Sequence, residues 1–220
     1  ATTTDYLQQS VPGFDMEAPH YWANKVLTDG VTAAELTVSE PALIGWLHTL
    51  EAISQLCMAS ARYRAAANYA RRVLKAEGYP TRAAGTVLLA LARLEDQDGF
   101  FALAHQLEEE IGADALENSP WYLLARTILL FKTNKMRPAT RALREFANRC
   151  EGGAFFLLNP MYQTPYLPCR PEPHDPWDLS HQAVWEADGI ISDTPDFAPW
   201  ANACEDVSQL AQEFARRYGF

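Results

Sequence analysis

Prolines at positions 41, 80, 120 and 160 punctuate this 220-residue chain at intervals of 39, 40 and 40 residues. Three of them follow a residue that starts helices, in Ser39-Glu40-Pro41, Ser119-Pro120 and Asn159-Pro160. Proline in a first helical turn loses nothing, because its missing N–H would have no partner there, and a preceding Ser or Asn can cap the turn. Pro80 fits differently, as the residue before a Thr81 cap. A fixed period of about 40 residues is what stacked supersecondary units leave in a sequence, each too small to bury its apolar face alone.

Each period reads as two helices. The first unit predicts helices over 42–59 and 63–77, the latter stopped by Gly78. The second predicts 83–94, a turn over 95–99, and 100–111 stopped by Gly112. The third predicts 121–131, a turn over 132–135, and 136–149 stopped near Gly152-Gly153. Glycine just past a helix accepts the left-handed conformation that ends it. Leu47, Leu50, Ile53 and Cys57 make one apolar stripe at helical spacing, and Val87, Leu88, Leu91 and Leu94 make another.

An aromatic or Met residue opens each second helix (Tyr63, Phe101, Met136), and a small one follows three positions on (Ala66, Ala104, Ala139). Small residues there let two helices approach closely. In the first unit Leu50, Ile53, Ser54, Cys57, Tyr63, Ala66, Ala70 and Val73 together resemble the tetratricopeptide repeat, and the resemblance spans 42–150. The units here are longer than that family's repeat of about 34 residues. The resemblance implies an all-α fold of stacked antiparallel helical hairpins, an α-solenoid, whose first helices line a groove that grips a segment of a partner protein. On those helices His48, Glu51 and Gln55, then Arg93 and Gln97, then Tyr122 and Arg126 are the candidate partner-binding residues. Arginine and tyrosine suit such a face, combining broad contact with hydrogen bonding.

The rest of a single domain over 1–220 reads as accessory to that stack. Residues 1–41 form a polar lead with short helices over 19–27 and around 32–36. Residues 151–178 read as a Gly/Pro-rich extended segment, since six prolines fall between 160 and 176 and proline blocks the α-helix. That segment either crosses the stack as a connection or occupies the groove and regulates access to it. Beyond it lie a helix over 178–187, with Asp178 as its cap, and a final one over 201–218. Val207, Leu210, Ala211, Phe214 and Tyr218 give the last helix one apolar face, which suits a cap on a repeat stack.

The net charge of −10 argues against a protein that coats DNA or lies on acidic lipid. The total hides a split of −6 over 1–60, +4 over 61–150 and −8 over 151–220, which predicts acidic ends lying across a mildly basic stack. Basic residues cluster on second helices: Arg62, Arg64, Arg71, Arg72 and Lys75, then Lys132, Lys135, Arg137, Arg141, Arg144 and Arg149. Arg137, Arg141 and Arg144 share a helix face, so RNA or a phosphorylated partner stands as an alternative to an ordinary protein segment.

No Walker loop, G-x-G-x-x-G, G-x-S-x-G or H-E-x-x-H occurs, so the main expectation is a non-catalytic interaction module without a cofactor. The other alternative is a metal-dependent or acid–base enzyme centred on His174 and His181, with Asp175, Asp178, Glu186 and Asp188 nearby in sequence. Cys57, Cys150, Cys169 and Cys204 form no C-x-x-C pair and are too few for a disulfide scaffold. With no signal peptide visible, the expected setting is a reducing one, the cytoplasm. The longest apolar runs, 83–94 and 121–131, each hold an arginine and fall short of a membrane span.

Overall fold

Three turns of one geometry organise the computed structural model, which describes residues 2–10, 14–16, 41–76, 79, 81–164 and 173–220. Each begins where a helix ends. Ala61, Glu95 and Asn134 adopt the left-handed conformation, with φ of 57°, 60° and 57°. In each, that residue's N–H bonds to a carbonyl three residues back and the next N–H to one five back: Ala61 to Met58 and Arg62 to Cys57, Glu95 to Ala92 and Asp96 to Leu91, Asn134 to Phe131 and Lys135 to Leu130. These paired bonds satisfy the last carbonyls of a helix and reverse the chain within two residues. The next helix starts two positions after each left-handed residue, at Tyr63, Gln97 and Met136.

The turns join α2 (Pro41–Ala59) to α3 (Tyr63–Leu74), α4 (Ala83–Arg93) to α5 (Gln97–Ile111), and α7 (Pro120–Lys132) to α8 (Met136–Arg149). Before them comes α1 (Thr2–Ser10), and between the second and third pairs lies the short α6 (Ala113–Glu117). After them follow α9 (Gly153–Leu158), a 3-10 turn (Pro160–Tyr162), α10 (Asp178–Ser192), α11 (Phe197–Asn202) and α12 (Glu205–Tyr218). The described residues are all-helical and hold no strand. No helix among them is long and apolar enough to cross a membrane. The expected short helices over 19–27 and 32–36, together with Pro80 and residues 165–172, lie outside the described residues.

One expected start is built as read: the Ser119 hydroxyl accepts from the Tyr122 N–H at the head of α7. At α4 the cap residue is Arg82, which makes no side-chain cap bond, and the Thr81 hydroxyl one position earlier accepts from the Ala83 N–H at 3.0 Å. Other boundaries move. α5 begins at Gln97 rather than 100, because Asp96 accepts from the Gly99 N–H at 2.9 Å and caps a turn earlier. α3 stops at Leu74, where the Ala76 N–H bonds to Val73 and tightens the last turn. Asp178 is the first residue inside α10 and not its cap; its carboxylate reaches back to the N–H groups of His174 and Asp175 at 2.8 and 3.0 Å.

The segment 151–178 is not extended throughout. α8 ends at Arg149 with Cys150 as its cap, and Gly152, at φ +73°, is the cap residue of α9, which Gly153 opens and which buries Phe155 and Phe156. Asn159 gives Pro160 no side-chain cap; its amide donates back to the Phe155 carbonyl and closes α9 instead.

Helix contacts follow from side-chain size. α2 packs on α3, α3 on α4, α4 on α7 and α7 on α8. Counted from the left-handed turns, Ala66 and Ala139 occupy one place in α3 and α8, and both are fully buried. The residue in that place on α5 is Phe100, also fully buried, so the equivalent of Ala66 is not Ala104. A phenyl ring where the other units have a methyl holds α5 away from α4, and α4 packs instead against its neighbours α3 and α7. Gly85 makes the α4–α7 approach feasible: a Cβ there would lie 2.3 Å from Trp121 Cγ. At the far end Val207, Ala211 and Phe214 of α12 are buried, and the helix packs on α8, α9 and α11.

Candidate functional site

Helix α10 lies against α2, α4 and α7, the first helices of the three pairs. Its polar contacts with α4 form a ladder of constant offset. Gln182 accepts from Arg82 at 2.9 Å, Glu186 accepts from the Thr86 hydroxyl, and Asp193 accepts from Arg93 at 2.7 Å. Partners that rise together in number show that the two helices run in the same direction. Trp121 of α7 donates its indole N–H to the second oxygen of Glu186 at 2.8 Å. Ser180, His181, Gln182 and Glu186 are all buried, so this helix enters the core with polar groups that are matched by donors and acceptors.

The seven expected partner-binding residues therefore fall into three places. Glu51 accepts from Tyr79 at 3.1 Å and from Thr81, and His48 lies beside the Tyr79 ring at 6.0 Å. Gln55 is 5% exposed, and Arg93 is tied to Asp193 with its guanidinium 5.3 Å from the Tyr63 ring centre. That hydrogen bond to Asp193 raises the Arg93 guanidinium's affinity for its proton, with burial opposing it. Gln97, Tyr122 and Arg126 lie elsewhere, towards α5 and α8. Gln97 accepts from Lys135, Tyr122 stacks on Phe100 at 6.0 Å, and Arg126 lies over the Tyr122 ring while pairing with Glu145.

Arg126 also lines an open groove of about 530 Å³ walled by α5, α6, α7 and α8. Phe101, Leu130 and Pro138 supply apolar surface, and Arg126, Arg141 and Arg149 supply charge. Phe101 is 45% exposed, unusual for a phenyl group. Arg141 shares Glu145 with Arg126, so one carboxylate serves two guanidinium groups; Arg149 pairs with Glu117 at 3.0 Å. The Arg126 Nε is buried and has no hydrogen-bond partner among the described residues.

The two histidines of the alternative site occupy different settings. His174 is exposed. His181 is buried against the Phe156 and Trp177 rings, and its Nε2 accepts from the Thr164 N–H at 3.1 Å. Burial pushes its pKa down, against weaker support for the proton from the Tyr162 backbone and Asp178. Among the described residues no group of three His, Cys, Asp or Glu side chains is placed to hold a metal ion.

On the basic face Arg144 pairs with Asp206 of α12 at 2.6 Å, and Arg217 of α12 pairs with Glu151. With Arg93–Asp193, the acidic C-terminal flank makes two ion pairs to the stack, one to Arg93 of α4 and one to Arg144 of α8, while Arg217–Glu151 lies within the flank itself. The sequence did not announce α10 as an occupant of the first-helix face. Its signal was four polar residues inside a helical stretch, each needing a buried partner.

No protein-family model, curated protein or solved structure matches the chain.

Proposed function

We propose that the chain is a non-catalytic helical-repeat module of the tetratricopeptide kind, stacked from antiparallel hairpins, and that it holds a segment of a partner protein. The three turns at Ala61, Glu95 and Asn134 support the repeat reading, since one backbone motif recurs at 34 and then 39 residues. The longer interval contains α6, a five-residue helix.

The observation that carries the binding reading is the groove around Arg126. It offers an exposed phenyl ring beside three guanidinium groups that share two carboxylates. An acidic segment with one apolar anchor complements that surface: the anchor covers Phe101 and Leu130, and its carboxylates meet Arg141 and Arg149. The expected face is thereby narrowed, since α10 covers the part around Gln55 and Arg93.

A photo-cross-linking residue at position 101, used in the native source, tests this. A protein adduct that is lost when Arg126 and Arg141 are changed to Glu supports the reading. An adduct indifferent to those changes, or none at all, retires it.

A further inference from the structure

A second cavity, of about 160 Å³, lies between α2 and α10. Gln55, Met58 and Ala59 line it from α2, and Trp185, Glu186, Asp188 and Gly189 from α10. Its side-chain oxygens are those of Gln55, Glu186 and Asp188. Gln55 is 5% exposed, and its Oε1 is buried without a hydrogen-bond partner among the described residues. A buried acceptor left unmatched is costly, so native proteins rarely keep one without an occupant to satisfy it. Asp188 adds a half-buried carboxylate, and among the described residues no Lys or Arg lines the cavity to balance it. Burial raises the Asp188 carboxyl above the usual carboxylate range, the behaviour of an acid lacking a cation.

We propose that this cavity binds a primary ammonium group, held by hydrogen bonds to Gln55 Oε1 and the Asp188 carboxylate and covered by the Trp185 ring. An ammonium has three donors and a compact charge, which suits two acceptors and an aromatic face lining one cavity. Met58 and Ala59 receive the methylenes of its stem. A divalent cation is a poorer match, because such ions take six or more oxygen ligands or a full set of nitrogen and sulfur donors. The Glu186 carboxylate contributes its field but is already engaged by Thr86 and Trp121. The site uses different side chains from the Arg126 groove and stands whether or not that groove holds a partner.

The ammonium can belong to a free amine or to a lysine side chain, and one titration series separates the two. The full chain is titrated with butylammonium, with N-acetyl-lysine methylamide and with 1-butanol, following the indole resonances by NMR. Butylammonium saturates a shift of one indole signal, which Trp185→Phe assigns, and 1-butanol does not. Asp188→Asn, an isosteric change at a half-buried position, weakens the amine by about tenfold or more, as loss of a charge-assisted bond requires. Gln55→Leu weakens it as well. Binding of the lysine derivative as tightly as butylammonium assigns the site to a protein lysine, and binding of butylammonium alone assigns it to a free amine. No saturable shift with either amine, equal binding of 1-butanol, or an affinity unmoved by Asp188→Asn overturns the proposal.

Discussion

Trp121 donates its indole N–H to Glu186 at 2.8 Å, joining α7 to α10 across 65 residues of chain. The Thr86 hydroxyl donates to the other oxygen, so a carboxylate only 7% exposed links three helices. Replacing Glu186 by Ala removes the carboxylate that a buried N–H and a buried hydroxyl donate to, and unfolding in urea should show a loss of about 2–4 kcal/mol. Glu186→Gln keeps one acceptor oxygen and should lose less. A cost for the Ala variant within about 0.5 kcal/mol of zero, the range of ordinary surface changes, would show that the link contributes nothing.

Gly85→Ala should destabilise although alanine is the better helix former. In an open helix the exchange gains about 1 kcal/mol. Here the new Cβ would meet Trp121 Cγ at 2.3 Å, and overpacking of this kind costs about 1–3 kcal/mol. The contrast appears in a double variant: with Trp121→Ala already present, only the Cβ at position 121, 2.8 Å away, still stands in the way, so Gly85→Ala should cost clearly less. The same loss in both backgrounds would place the strain elsewhere.

Arg93 and Asp193 retain 29% and 48% of their side-chain exposure, so water screens the pair. A double-mutant cycle should give a coupling of about 0.2–1 kcal/mol that shrinks with added salt. Arg93→Glu alone sets two carboxylates at the end of α10, and adding Asp193→Arg should restore much of the loss. If the exchange restores nothing, the pair does not hold that end.

His181 makes stability depend on acid. Its folded pKa lies below the ordinary 6.5, because burial disfavours the charged ring and Thr164 N–H already occupies Nε2. The unfolded chain therefore binds the proton first as pH falls. Its contribution is full above about pH 6.5, declines as pH drops from there to the lowered folded value, and is flat below that. Asp178 and the Tyr162 backbone support the proton and narrow the window. Melting temperatures across that range should fall for the native chain and fall less for His181→Phe. Parallel curves would assign the acid sensitivity to other groups.

How far the sequence speaks depends on where each signal resides. The helix start at Ser119 was legible, because the side chain that caps is also the residue that is read, whereas at α4 the cap place falls on Arg82, one position past Thr81. The reversals after α2, α4 and α7 were legible only as turns, since backbone bonds define them and Ala, Glu and Asn fill the left-handed place equally. That ambiguity put the small residue of the second unit at Ala104, one helical turn past the place Phe100 occupies. Gly152-Gly153 read as one stop, yet Cys150 closes α8 and the two glycines begin α9. The partner-binding stripe scattered for a further reason. Helical periodicity gives the face of each helix but not what lies against it, and α10 buries polar residues that a hydropathy pattern assigns to water.

The ladder from α4 to α10 changes how such a chain should come apart. Where each helix touches only its neighbours in sequence, units can fray from either end one at a time. Helix α10 spans α2, α4 and α7, so releasing any one of them strips a partner from the others. Unfolding of that core should be a single concerted event. Folding should wait on contacts between residues a hundred positions apart, whose closure costs entropy before they contribute any stability.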